Sequence, residues 1–340
     1  MRHTFVNFAM VLSFTTAQVG CQKEGEWFGP IQPPVPPEQP ASFANTYLIG
    51  CEGNFQYGNA SLTAFYPDSG RVDNQVFERA NGYGPGDVLQ SMLQIDSLVY
   101  LVMNNSGLIR VISAKDYREV RVLDGLNSPR YAVALNGNRL AVSSFGGGAV
   151  HVIDRRTGAL EHSVKTVDWT EQLYLLSDRL YAVGKSDSTL IVIDTATLTN
   201  TGAFHLGGDP IQAAVWDGAI YVGVLRASGL RIVRFTDDSY TLTMEYATGV
   251  NDLSFSDQGI TLLTADSLLL FDWDGTYIHG SAHDLQTPYS LYTDDALVIA
   301  TDVLDYLSKG RIEVYDQNLK RIEAHETGLI PQAILHIQQP

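Results

Sequence analysis

Aromatic and amide side chains recur in short polar stretches of this chain, in a pattern that suits recognition of a large amphipathic ligand. Asn54-Phe55-Gln56-Tyr57, Asn104-Asn105-Ser106, Asn127-Ser128-Pro129-Arg130-Tyr131 and the run from Asp302 to Tyr306 are such stretches. Aromatic faces cover an apolar body, while Asn, Gln and Arg bond a polar fringe. The competing expectation is that Phe55, Tyr57 and Tyr289 pack inside the fold, as large aromatics commonly do. A second set, Glu52, Asn105, Asn251 and Asp302, holds the carboxylates and amides a lactone hydrolase would need on one axis. Enzyme signals are otherwise thin, with no G-x-S-x-G elbow and no H-E-x-x-H in the sequence. The eight histidines are scattered, and the loosely spaced His279/His283 pair suits surface decoration better than a metal site. The expectation is a binding protein without catalytic residues, metal or cofactor.

The elements that must position these residues announce themselves by repetition. Seven short segments begin on a polar or aromatic residue and run into an apolar stretch: at Gln90, Tyr131, Gln172, Gln212, Asn251, Tyr289 and Gln332. The steps between them are 41, 41, 40, 39, 38 and 43 residues. A period near 40 with several short strands per period predicts β-propeller blades, and seven starts predict seven blades. Within a period, turn residues punctuate alternating apolar runs, as in YAVAL, RLAVS and AVHVID between Tyr131 and Asp154. The Asp closing the third run recurs at Asp154, Asp194, Asp272 and Asp316, where an Asp can bond nearby backbone N–H groups. These acids read as structural. Asn45 to Phe77 supplies about three strands, whereas Gln332 to Ile337 is an inner strand with nothing after it. The fold class is therefore all-β: a seven-bladed propeller whose N- and C-terminal strands close one blade and remove the free sheet edges.

The loops that approach the innermost strands, and those joining second and third strands, build one mouth. Four of the seven approaches contain proline, at Pro129, Pro210, Pro288 and Pro331, which fixes a sharp path and needs no donor. The net charge of −16 argues against nucleic acid, which demands clustered Lys and Arg. Of the two cysteines, Cys51 falls in an apolar run and reads as a buried small hydrophobe. Residues 1–20 read as a leader: Arg2, then an apolar core from Phe5 to Ala17 too short to span a membrane. Val19-Gly20-Cys21 resembles a bacterial lipobox, with Gln18 where that pattern has Leu, so Cys21 is expected to carry lipid. Residues 21–44, dense in proline, form an extended tether, and 45–340 form the propeller.

The run CEGNFQYGNASLTAFYPDSGRVDNQVFERANGYGPGDVLQSM, with VMNNSG, GLNSPRYAV and the closing ATDVLDYLSKGRIEVYDQNLKRIEAHETGLIPQA, resembles the YncE-like propeller lipoproteins and among them the BtuG-type cobalamin-binding proteins. The likeness spans residues 46–337 and is most specific over its first hundred residues. It implies a lipid-anchored protein of the outer membrane, at the cell surface, that captures a corrinoid (cobalamin) and passes it to a TonB-dependent receptor. By the same resemblance, ligand-binding positions would be Asn54, Phe55, Tyr57, Asn105, Arg130, Tyr131, Asp305 and Tyr306. A scaffold or adhesin that binds another protein, and a lactonase-like hydrolase, are the alternative readings.

Overall fold

The computed structural model describes residues 45–236, 239–247 and 249–338. The expected leader, the lipidated Cys21 and the tether to residue 44 lie outside the described residues. These residues form seven four-stranded antiparallel sheets, the blades of a β-propeller. Blades 2 to 7 each use four consecutive strands, with innermost strands Leu89–Ile95, Pro129–Ala134, Thr170–Leu176, Asp209–Trp216, Val250–Ser256 and Pro288–Thr293. Blade 1 is composite. Its inner strand, Pro331–Ile337, pairs with Thr46–Cys51, followed outward by Ser61–Tyr66 and Arg71–Asp73. The two chain ends close one blade, as expected. The expected stretch to Phe77 ends differently, because Val76–Asn81 turns into a short helix. It buries Phe77, whose ring meets Tyr83 edge-on at 5.7 Å.

Each blade buries both faces against its neighbours, so the second strands are near-continuous buried runs. Thr46–Cys51 and Ser61–Tyr66 are buried at every position. Ile49 and Phe65 pack against Ile299 and Ile312 of blade 7, while Leu48 and Leu62 pack against Val99 and Leu101 of blade 2. Outer strands such as Leu160–Lys165 are mostly exposed. Cys51 is buried, and burial pushes its thiol up to about 11, which keeps it an unreactive filler. The four recurrent acids do what the turn chemistry requires. Asp194 Oδ1 accepts from the N–H groups of Ala196 (3.0 Å) and Thr197 (2.7 Å), and Asp154, Asp272 and Asp316 repeat the motif.

One backbone position is unusually tight. Gly259 opens a second strand at φ +135°, and a Cβ there would lie 2.1 Å from the Phe271 carbonyl oxygen. Gly259→Ala is expected to cost about 3 kcal/mol, from the strained dihedral and the displaced third strand together, read as a fall in the urea midpoint.

Candidate functional site

The inner strands bulge where they enter. Pairing slips between Leu89 and Ser91, Pro129 and Ala132, Thr170 and Leu173, Pro210 and Gln212, Val250 and Asp252, and Pro288 and Leu291, with a matching slip in blade 1 opposite Pro331 and Ala333. A bulge inserts an extra residue and re-aims side chains. The residues in and beside these bulges are the ones that mark the sequence repeat. Gln90, Tyr131, Gln172, Gln212, Asn251, Tyr289 and Gln332 all line an axial cavity of about 400 Å³. Proline fits these strand starts because the bulge leaves its missing N–H without consequence.

Around this axis the charged groups are mostly tied to one another. Arg130 donates from Nε (2.9 Å) and NH2 (2.6 Å) to Glu171 Oε1, which also accepts from Trp169 Nε1. Tyr289 donates its hydroxyl to Glu52 Oε1 at 3.1 Å. Burial pushes the Glu52 carboxyl up, against the pull of that bond and of the Arg130 charge. Lys185 bonds Asp209 at 2.6 Å and the Pro210 carbonyl at 3.0 Å. Asp252, which also faces the cavity, differs. Burial lifts its carboxyl to about 7, opposed by hydrogen bonds from Leu291, Leu253 and Ser290.

The residues singled out by the resemblance come together at this end of the propeller, in two different roles. The aromatics are presented to solvent: Phe55 is 60% exposed, Tyr57 79% and Tyr306 45%. They stand on the second-to-third loops of blades 1 and 7. Asn54 joins those loops by donating from Nδ2 to the Tyr306 carbonyl at 3.0 Å. Most of the polar members are engaged within the protein. Asn105 donates to Asp87 Oδ2 at 2.6 Å, which also accepts the Gln56 N–H at 2.9 Å. Asp305 Oδ1 accepts the N–H groups of Leu307 (2.9 Å) and Ser308 (2.6 Å) in its own turn. Arg130 is held by Glu171, and Tyr131 lines the axis.

A second exposed aromatic pair, Phe145 and Trp169, meets edge-to-face at 5.2 Å on the loops of blades 3 and 4. The hydrolase set does not assemble. Asn251 lines the axis, but Asp302 is fully buried and accepts from the N–H groups of Gln286, Thr287 and Leu304 and from Arg311. His283 has both ring nitrogens at backbone groups, the Thr264 carbonyl and the Leu285 N–H. Asp87, Glu171 and Asp252 were not picked out by the sequence. Glu171 and Asp252 carried one signal, that of an acid at the start of an inner strand.

No protein-family model and no curated protein matches this chain. Among solved structures it is similar to a functionally unknown protein of Desulfotomaculum acetoxidans, at a TM-score of 0.69 and 12% identity over 87% of this chain and 100% of that one. A Bacteroides fragilis protein described as a candidate 6-phosphogluconolactonase aligns at 0.63 and 15%, over 88% and 100%. BamB of Moraxella catarrhalis aligns at 0.53 and 16%, over 85% of each. Identities this low speak for the seven-bladed fold alone.

Proposed function

We propose that this protein captures a broad amphipathic small molecule, a corrinoid such as cobalamin, on the loop end of the propeller. One observation carries the reading: two exposed aromatic groups flank the axial cavity from opposite sides. Phe55, Tyr57 and Tyr306 come from blades 1 and 7, and Phe145 and Trp169 from blades 3 and 4. On a closed ring of seven blades these sectors face each other across the axis. A small ligand would use one of them, and only a wide one could use both. The amides and phenols around the axis then meet the polar fringe of the ligand. The propeller needs little reordering on binding, which favours affinity.

The sequence motifs extend this reading. Lipid on Cys21 would hold the body at the outer membrane, and a TonB-dependent receptor would take the ligand onward. A scaffold that binds a protein is the second reading. It is favoured by Leu307, which at 80% exposure extends the apolar patch beyond the aromatics. No lactone turnover is expected.

Calorimetric titration of residues 43–340 with cobalamin tests the proposal. One-to-one binding with Kd below about 1 μM is the expected result. Absence of heat at roughly 100 μM protein retires the corrinoid reading and leaves the scaffold.

A further inference from the structure

Asp252 breaks the internal repeat. At the position after the axial residue, the other six blades carry Ser, Ala or Leu, while blade 6 carries an acid. The fold therefore needs only a small or apolar side chain there. An acid facing a cavity is a departure of the kind that functional sites introduce. Its surroundings supply hydrogen bonds but no counter-charge. Oδ2 accepts the Leu291 N–H at 2.8 Å, and the Ser290 side chain and the Leu253 N–H add further bonds. The titratable groups around it are the phenols of Tyr131, Tyr174, Tyr289 and Tyr292, all raised by burial and therefore neutral, and the Lys185 ammonium, which lines the same cavity. The basic groups nearest the axis are taken, Lys185 by Asp209 and Arg130 by Glu171. Among the described residues, no basic side chain pairs with Asp252.

We propose that the axial cavity binds a small primary amine, with its ammonium group held by Asp252 and the phenol oxygens nearby. The donor set favours an amine over a metal ion. At about 400 Å³ the space is of small-molecule size. One carboxylate among amides is a poor match for a divalent ion that wants six to eight oxygens. An ammonium needs one anion and a few acceptors, and the aromatic rings of Tyr131 and Tyr289 line the same cavity. The Asp252 carboxyl, lifted by burial to about 7, makes binding depend on pH. From pH 8 to pH 6 its ionised fraction falls from about nine-tenths to about one-tenth, so affinity falls roughly tenfold. The site shares the axial amides and phenols with the corrinoid reading but is anchored on Asp252, which that reading does not use.

The test is calorimetric titration of the purified protein with 1,4-diaminobutane, in buffered saline at pH 8 and pH 6. Asp252→Asn and Asp252→Ser are titrated alongside; the second installs the residue that blade 7 carries at this position, Ser290, so the fold has precedent for it. Saturable binding at pH 8, about tenfold weaker at pH 6 and at least tenfold weaker in both variants, is the expected outcome. Diffuse attraction to the acidic surface would not depend on Asp252. The proposal is overturned by lack of saturation at about 10 mM diamine at pH 8, or by unchanged binding in Asp252→Ser. Calcium chloride giving an Asp252-dependent signal where the diamine gives none would make this a metal site and equally overturn it.

Discussion

Replacing Asp294 with alanine is expected to remove about 4 kcal/mol of folding stability and to lower the melting temperature by on the order of 5–10 °C. Asp294 follows the inner strand of blade 7 and touches both strands that the chain ends contribute to blade 1. Its Oδ2 accepts the Tyr47 hydroxyl at 2.8 Å and lies 2.9 Å from His336 Nδ1; Tyr47 sits on Thr46–Cys51 and His336 on Pro331–Ile337. Its Oδ1 accepts the N–H groups of Ala296 and Leu297, both at 2.9 Å. Alanine would strand a fully buried tyrosine hydroxyl and loosen the seam that closes the ring. Burial alone would raise the Asp294 carboxyl, but the bonds from His336, Leu297, Ala296 and Tyr47 outweigh it and bring it from 3.8 to about 2. A carboxyl lowered on folding stabilises fully above its ordinary pKa and loses that contribution as pH falls through the folded value. About 2 kcal/mol should therefore vanish between roughly pH 4 and pH 2. Denaturant titrations across that window should show wild type and Asp294→Ala converging. A constant gap would mean that the loss is one of packing.

The closing seam was legible because it follows from counting: an inner strand without outer strands must find outer strands without an inner one. The blades were legible for a related reason. Each must bury the same two faces, so the pattern returns every 38 to 43 residues. Contacts between blades return at that period too. Arg130 meets Glu171, Tyr174 meets Gln212 and Leu291 meets Asp252, at separations of 41, 38 and 39 residues. No local pattern signals such pairs, so nothing in the sequence indicates that the Arg130 guanidinium is bound to a neighbouring blade. The bulges hid the rest. Strict alternation would put Asn251 and Asp252 on opposite faces of a strand, but the slip at Val250 brings both to the axis. Asn105 and Asp305 show the same limit from the other side. Polar residues in loops suggested contacts outward, but their bonding atoms are used to set the loops on which Tyr57 and Tyr306 stand.

If a corrinoid is the ligand, Tyr57→Ala combined with Tyr306→Ala should weaken cobalamin binding by about a hundredfold or more, with the melting temperature moving by no more than about 2 °C. The rings leave little behind. Tyr57 is 79% exposed, and Tyr306 touches Tyr289 edge-on with centroids 6.0 Å apart, while the bond from Asn54 reaches its backbone carbonyl and survives the change. Aromatic anchors of this kind typically contribute about 2–4 kcal/mol each, less than additively when they share one ligand. On the opposite side Phe145→Ala is the cleaner probe, because Trp169 also bonds Glu171 and its loss would disturb Arg130. The pattern across the two sides identifies the kind of ligand. A macrocycle that bridges the mouth must lose affinity in both variants. Loss in Tyr57→Ala/Tyr306→Ala alone would mean a smaller ligand or a protein edge resting on blades 1 and 7. Retained cobalamin affinity in both would place the corrinoid somewhere other than the aromatic rim, and the proposed mode of capture would fall with it.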